Sequence, residues 1–258
     1  MANVHPTALV EAGAVLADDV EIGPYAHIGP HIEIGAGTQI GAHAVIAGHT
    51  RIGVGNRIYP QVSLGGPPQD MKYSGEPTRL EIGDYNTIRE FCTCNTGTVQ
   101  DRGVTTVGSH NWIMAYVHIA HDCVVGDHVV MANATTLAGH VEIGDRAVLG
   151  GMTGVHQFCK IGAHVITAGG SIVLKDIPPF VMAAGNPARA NGINSEGLRR
   201  RGLPADVIER VRRAYKTIYR EGLTLAEAMQ RLEAEAAQSP EVGMLLDFLR
   251  RVERGIVR

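Results

Sequence analysis

The chain has 258 residues, a net charge of −3, 45% hydrophobic residues, only 5% aromatics and 32 glycines, a balance suited to narrow coils with tight turns rather than a thick aromatic core. It nowhere runs to about eighteen consecutive apolar residues, and its opening MANVHPTALVEAG lacks a basic, then apolar leader. No membrane insertion and no secretory signal are therefore expected, which points to the cytoplasm, and overall acidity without a nucleic-acid motif argues against a nucleic-acid partner.

From the N-terminus, Val4, Val10, Leu16, Ile22, Ile28, Ile34, Ile40, Ile46, Ile52, Ile58 and Leu64 fall in unbroken steps of six. Neither a strand, with period two, nor a helix, with period 3.6, produces this rhythm; a hexapeptide repeat does. The count breaks at residues 65–80, where GGPPQDMKYSGEPTR carries glycine, proline and charge without aliphatic periodicity and reads as an exposed loop. It resumes at Ile82, Ile88 and Cys94, breaks again over residues 95–106, then restarts in a new phase from Val107 to Ile161.

Beyond Ile161 the beat fades through Thr167 and Val173, and Pro178, Pro179 and Pro187 end it, because proline cannot donate to a ladder. Residues 1–190 thus form a parallel β-helix of hexads, and residues 191–258 form a second, helical domain. In that tail Val207, Val211, Tyr215 and Ile218 mark one helix before Gly222, Thr224 and Glu227 form a capping box for another, and Ser239-Pro240 opens a third. The four cysteines, Cys92, Cys94, Cys123 and Cys159, form no Cys-x-x-Cys pair and are expected as small buried hydrophobes.

If three hexads make one coil, residues eighteen apart stack, so His121 lies under Gly139 and Gly139 under Gln157, with His118, His140 and His156 around that column. Clustered imidazoles suit two chemistries. One is general-base catalysis by a neutral histidine oriented by a carboxylate, for which Asp122 is the candidate; the other is three-histidine zinc chemistry, as in β-helical carbonic anhydrases. Spacing alone leaves both open.

The segments VHIAHDC (117–123), TLAGHVEIGD (136–145), GGMTGVHQF (150–158), QDMKYSGEPTRLEIGD (69–84) and INSEGLRRRG (193–202) together resemble the acyl carrier protein-dependent UDP-N-acetylglucosamine O-acyltransferases of lipid A synthesis, and the resemblance spans the whole chain. It implies a left-handed β-helix, an exception to the right-handed crossover rule. It implies transfer of a 3-hydroxyacyl chain from acyl carrier protein to the 3-hydroxyl of UDP-N-acetylglucosamine, by a homotrimer with sites between subunits and without a metal or other cofactor. His121 then matches the general base, Asp122 its orienting carboxylate and the Gly139 N–H the oxyanion donor. His118, His140, His156 and Gln157 match the sugar and thioester pocket, and Asp70 and Lys72 on the inserted loop match contacts to the nucleotide sugar. Asn194, Glu196, Arg200 and Arg201 match the uridine diphosphate site, and Gly169 matches the position that limits acyl length, where glycine leaves room for a long chain.

At one point the chain departs from the pattern: many relatives carry His-Arg before GTVQ, where this chain has Asn95 and Thr96. The eight basic residues between Arg199 and Arg220, against Asp206 and Glu209, are expected to steer an acidic carrier protein. Three other readings of the same sequence are transfer to a 3-amino sugar nucleotide, the sibling N-acyltransferase of the pathway, and a non-catalytic β-helical scaffold. Against the sibling, hexads already begin at Val4; against the scaffold stand the clustered histidines and charged insertion.

Overall fold

A computed structural model describes all 258 residues. Each hexad contributes a strand of mostly two residues, and three hexads close one coil, so the strands stack into three sheets of eleven, nine and eight strands, parallel throughout except for the last strand of the eleven. Regular coils repeat every eighteen residues, as in the pairing of Val130 with Val148 and of Thr136 with Gly154. The hexad aliphatics point inward, and from Ile22 to Val173 they form one continuous core column. Burying each such side chain contributes about 1.5–3 kcal/mol, and every coil repeats the gain. Val4, Val10 and Leu16 are less covered, because no coil lies beneath the first one.

At the corners sixteen non-glycine residues adopt positive φ, an uncommon conformation for L-residues. Many carry flat rings that stack on the coil above: Tyr25 on His43 at 5.0 Å between centroids, Phe91 on Tyr116 at 4.9 Å and His110 on His128 at 4.9 Å. Stacking offsets part of the backbone strain. Within one corner a buried polar ladder runs upward: Asn86 N–H donates to Asn56 Oδ1 at 2.9 Å, Asn111 N–H to Asn86 Oδ1 at 2.9 Å and Val129 N–H to Asn111 Oδ1 at 2.6 Å. The ladder holds register across the two coils that contain insertions.

Those insertions are shorter loops than the sequence suggests. Strand Ser63–Gly66 keeps Gly65 and Gly66, and strand Arg79–Ile82 begins before Leu80, so the first loop spans 67–78. Strands Thr93–Asn95 and Val104–Val107 likewise confine the second to 96–103. Their ends pair with neighbouring coils, Arg79 with both His49 and Val104, and hydrogen bonding outweighs the weak local patterning. Both loops leave the nine-stranded sheet and enter the eight-stranded one, so they emerge from the same corner on successive coils. The next coil up places His121 and Asp122 at that corner.

Where the beat fades the coils still run on through strands Ile166–Thr167 and Ile172–Val173, and Val181–Gly185 pairs with Ile166–Thr167 in the eleven-stranded sheet before turning back as the antiparallel strand Ala188–Ile193. Four helices follow: α1 (Ser195–Arg200), α2 (Ala205–Tyr219), α3 (Leu225–Ala236) and α4 (Pro240–Arg250). The short α1 is additional to the three expected from periodicity. The capping box of α3 is formed, with Glu227 N–H on Thr224 Oγ1 and Thr224 N–H on the Glu227 carboxylate. The C-terminus returns to the prism, where Val257 N–H donates to Asp176 O at 3.0 Å. No helix is long and apolar enough to cross a membrane. All four cysteines are free and buried; burial pushes the Cys92 and Cys159 thiols up to about 11 and that of Cys123 to about 12, so they are unreactive at neutral pH.

Candidate active site

His121 and Asp122 occupy the turn between strands His118–Ile119 and Val124–Val125. The His121 side chain is 15% exposed and that of Asp122 0%. The carboxylate accepts His121 Nδ1 at 2.9 Å, Thr98 N–H at 2.9 and 3.1 Å and Thr98 O–H at 2.7 Å, while Asp122 N–H donates to Thr105 Oγ1 at 2.8 Å. These bonds satisfy a buried carboxylate and hold the ring so that Nδ1 faces it and Nε2 faces away.

Gly139 lies directly above. A Cβ there would stand 2.5 Å from His121 Cε1 and 2.6 Å from Nε2, so only glycine lets the backbone meet the imidazole at this distance. Gly139 is buried, yet its N–H donates to nothing in the chain, as also holds for His121 and Gln157 at the same corner position. An unpaired donor 18 residues along the coil from a histidine with an open ring nitrogen is an arrangement suited to an oxyanion.

His140 stands edge-on to His121, with centroids 5.0 Å apart, stacks on Phe158 at 4.3 Å and places Nε2 4.0 Å from Asp122 Oδ2. Its Nδ1 pairs with Asp101 at 2.7 Å. His118 shares a 2.7 Å hydrogen bond with Thr93, and burial, followed by the nearby His121, lowers its pKa. His156 and Gln157 are exposed at the edge of the same corner, with His156 Nδ1 donating to Gln157 O. Thr98, Asp101 and Thr105 were not singled out from sequence. The signal available was the second break in the six-count, but spacing does not reveal toward which corner a loop's side chains fold.

His121, Asp122 and His140 are the one His, Cys, Asp or Glu group whose ligand atoms converge within 4.8 Å. Its carboxylate already takes three protein donors, and His118 and His156 bond elsewhere, so one chain does not assemble three imidazoles for zinc.

The remaining candidates lie apart from this corner. Asp70 and Lys72 sit on the first loop, where Asp70 Oδ1 accepts Lys72 N–H at 3.0 Å. Gly169 belongs to another corner, between the eleven- and nine-stranded sheets; a Cβ there would only touch Gly151 O at 3.4 Å, so packing within the chain does not require glycine. Asn194, Glu196, Arg200 and Arg201 surround α1 near the third corner. Asn194 is buried and caps that helix, accepting Gly197 N–H at 3.1 Å, while Glu196 pairs with Arg199 and Arg200. Asn95 and Thr96, at the point of departure, are buried: Asn95 donates to Pro67 O at 2.9 Å and Thr96 meets Thr78 at 3.0 Å, fastening the base of the first loop.

A stacked hexapeptide prism carrying an oriented histidine beside a free glycine N–H defines a hexapeptide-repeat acyltransferase. The family described as "Bacterial transferase hexapeptide (six repeats)" matches residues 105–139, and "Udp N-acetylglucosamine O-acyltransferase; Domain 2" matches 176–257. A protein of Thiobacillus denitrificans named acyl-(acyl-carrier-protein)–UDP-N-acetylglucosamine O-acyltransferase is 69% identical over 258 residues, covering 100% of both chains, and one of Burkholderia lata with the same name is 57% identical over 262 residues at the same coverage. The structure of LpxA from Acinetobacter baumannii superposes with a TM-score of 0.97 at 51% identity, and that from Moraxella catarrhalis with 0.98 at 47%, each covering 99% of both chains. The chain belongs to the acyl-(acyl-carrier-protein)–UDP-N-acetylglucosamine O-acyltransferase family. It is an acyltransferase, and its coil is the left-handed parallel β-helix.

Proposed function

We propose that the chain transfers a 3-hydroxyacyl group from acyl carrier protein to the 3-hydroxyl of UDP-N-acetylglucosamine, the first step of lipid A synthesis, in the cytoplasm. The observation that carries the reading is the His121–Asp122 pair facing the unpaired N–H of Gly139. His121 Nε2 takes the sugar hydroxyl proton as the oxygen attacks the thioester carbonyl, a role worth about 10²- to 10⁴-fold in rate. The oxyanion is held by Gly139 N–H, worth about 3 kcal/mol. Collapse breaks the carbon–sulfur bond, and the imidazolium returns its proton to the leaving carrier-protein thiolate. Asp122 keeps the ring in place and stabilises its cationic form, and no step needs a metal, so chelators leave turnover unchanged.

The enzyme works as a homotrimer. Support comes from the separation of the candidate residues: His121, Gly169 and α1 occupy three different corners of one prism, so a single chain leaves them apart and a closed ring of copies can bring them together. His118, His140, His156 and Gln157 line the pocket, Asp70 and Lys72 reach the nucleotide sugar, and Glu196, Arg200 and Arg201 hold the uridine diphosphate, the two arginines at its phosphates. Asn194 serves the same site by capping α1. With glycine at 169, a 3-hydroxymyristoyl donor is preferred over a ten-carbon one.

The test incubates purified protein with UDP-N-acetylglucosamine and a series of 3-hydroxyacyl carrier proteins, with mass spectrometry of the product. A 3-O-acyl ester with the fourteen-carbon donor best is expected; equal turnover of the ten-carbon donor would refute the length assignment. His121→Ala should lose nearly all turnover as a folded trimer, and substantial residual activity would reject it as the base.

A further inference from the structure

His164 lies outside the catalytic corner, at the turn between strands Lys160–Ile161 and Ile166–Thr167, with φ 60°. Its ring stacks on Phe180 at 5.4 Å between centroids, and its own N–H donates to Asp145 O on the coil below. Both ends of α1 are tied to it. At the start, Asn194 Nδ2, on the helix-capping residue, donates to His164 O at 3.0 Å. At the end, the Arg201 guanidinium meets His164 Nδ1 at 3.1 Å, and its other terminal nitrogen donates to Arg146 O at 2.7 Å.

The direction of the Arg201 bond follows from chemistry. A guanidinium has five N–H groups to give and no lone pair, so the nitrogen facing it must carry no proton. His164 is therefore neutral, and burial with the charges of Arg201 and Arg146 pushes its pKa down to about 4, against the smaller pull of Asp145 and of Glu241 on α4. With two guanidinium N–H groups committed to the prism, three remain for a ligand.

We propose that His164 is a positioning residue for the nucleotide: through its Nδ1 and its carbonyl it seats α1 so that Arg201 is presented to the diphosphate in one fixed orientation. The inference rests on the reading of α1 as the diphosphate site. It assigns the role of a scaffold corner to a residue that touches neither substrate nor reacting atoms.

Two substitutions separate the hydrogen bond from packing. His164→Phe keeps a flat ring over Phe180 but removes the acceptor, whereas His164→Asn places an amide oxygen where Nδ1 was and tolerates positive φ. In steady-state kinetics of the full-length enzyme, the Phe variant should raise KM for UDP-N-acetylglucosamine about 5- to 20-fold with kcat within about twofold, the range expected for one lost charge-assisted hydrogen bond. The Asn variant should restore KM to within about threefold. A wild-type KM for the Phe variant, or an Asn variant as impaired as Phe, would overturn the proposal. Should His164→Phe not fold, the wild type and His164→Asn are compared across pH: KM of the wild type should rise below about pH 5 and that of Asn should not. Parallel profiles would overturn it. Arg201→Ala serves as the control for the underlying reading. A raised KM there with an unchanged KM in His164→Phe removes the positioning role alone, and an unchanged KM in Arg201→Ala removes the diphosphate assignment and the proposal with it.

Discussion

At residue scale the closest fit is that of Gly139 against His121. Because a Cβ at 139 would stand within 2.6 Å of the imidazole, Gly139→Ala must displace the ring or the backbone donor. A displacement of about 1 Å costs on the order of 10²-fold in rate. We expect kcat of Gly139→Ala to fall 10- to 100-fold with far less change in KM, measured by steady-state kinetics; an unchanged kcat would mean that the ring and the N–H do not act together. Gly169 behaves in the opposite way, since its Cβ has room. Gly169→Met should fold with wild-type thermal stability and shift donor preference from fourteen carbons toward ten, as read in competition between the two carrier-protein substrates. The column of His121, Gly139 and Gln157 was legible in the sequence because eighteen residues make one coil. The Thr98 and Asp101 contacts were not, because an irregular loop has no period from which to read direction.

Among the elements, the second loop and α1 are each fastened to the prism by a few side chains, Thr98 and Asp101 for the loop and Asn194 and Arg201 for the helix. Thr98 anchors the loop through three hydrogen bonds into the Asp122 carboxylate. The seat of α1 is pH-sensitive with a definite sign. The His164 pKa is about 4 in the folded protein and ~6.5 in the unfolded chain, so between these values the unfolded state binds more protons. Its contribution to stability is complete above about pH 6.5 and is lost as pH falls toward 4. Thermal melts over that range should show a steeper acid decline for wild type than for His164→Asn; parallel curves would contradict the sign. In α2, three of the basic residues already meet carboxylates, Arg210 with Asp206, Arg212 with Glu209 and Arg213 with Glu235, a finding that charge counting alone could not supply. Such exposed pairs are weak and leave the local field positive. Replacing Arg210, Arg213 and Lys216 with Glu should still raise the apparent KM for carrier protein, most at low salt, and no change would remove α2 as its docking face.

On the scale of the whole molecule, the three separated corners lead to a complementation experiment. If His121 of one copy works with α1 of another, mixed trimers of His121→Ala and an Arg200→Ala, Arg201→Ala double variant should recover activity that neither has alone. Random mixing in equal amounts restores about a quarter of the intact sites in a closed ring of three. Co-refolded, doubly tagged trimers with no gain over the separate variants would place each complete site within one chain. The prism itself should withstand these surface changes, since its stability comes from the stacked aliphatic core.

What the sequence determined by itself is the prism and its vertical order. Which residues face inward and which stack at a corner depends on position within a short, regular repeat, and local spacing carries that information. What only the tertiary structure decided is the meeting of unlike segments: two insertions emerging below one histidine, Thr98 and Asp101 closing on Asp122 and His140, and α1 resting on His164. These contacts join residues 24 to 39 positions apart, and on His164 up to 37, through side chains on irregular backbone. Their geometry follows from how the coils and loops pack in space, and no periodicity in the chain encodes it.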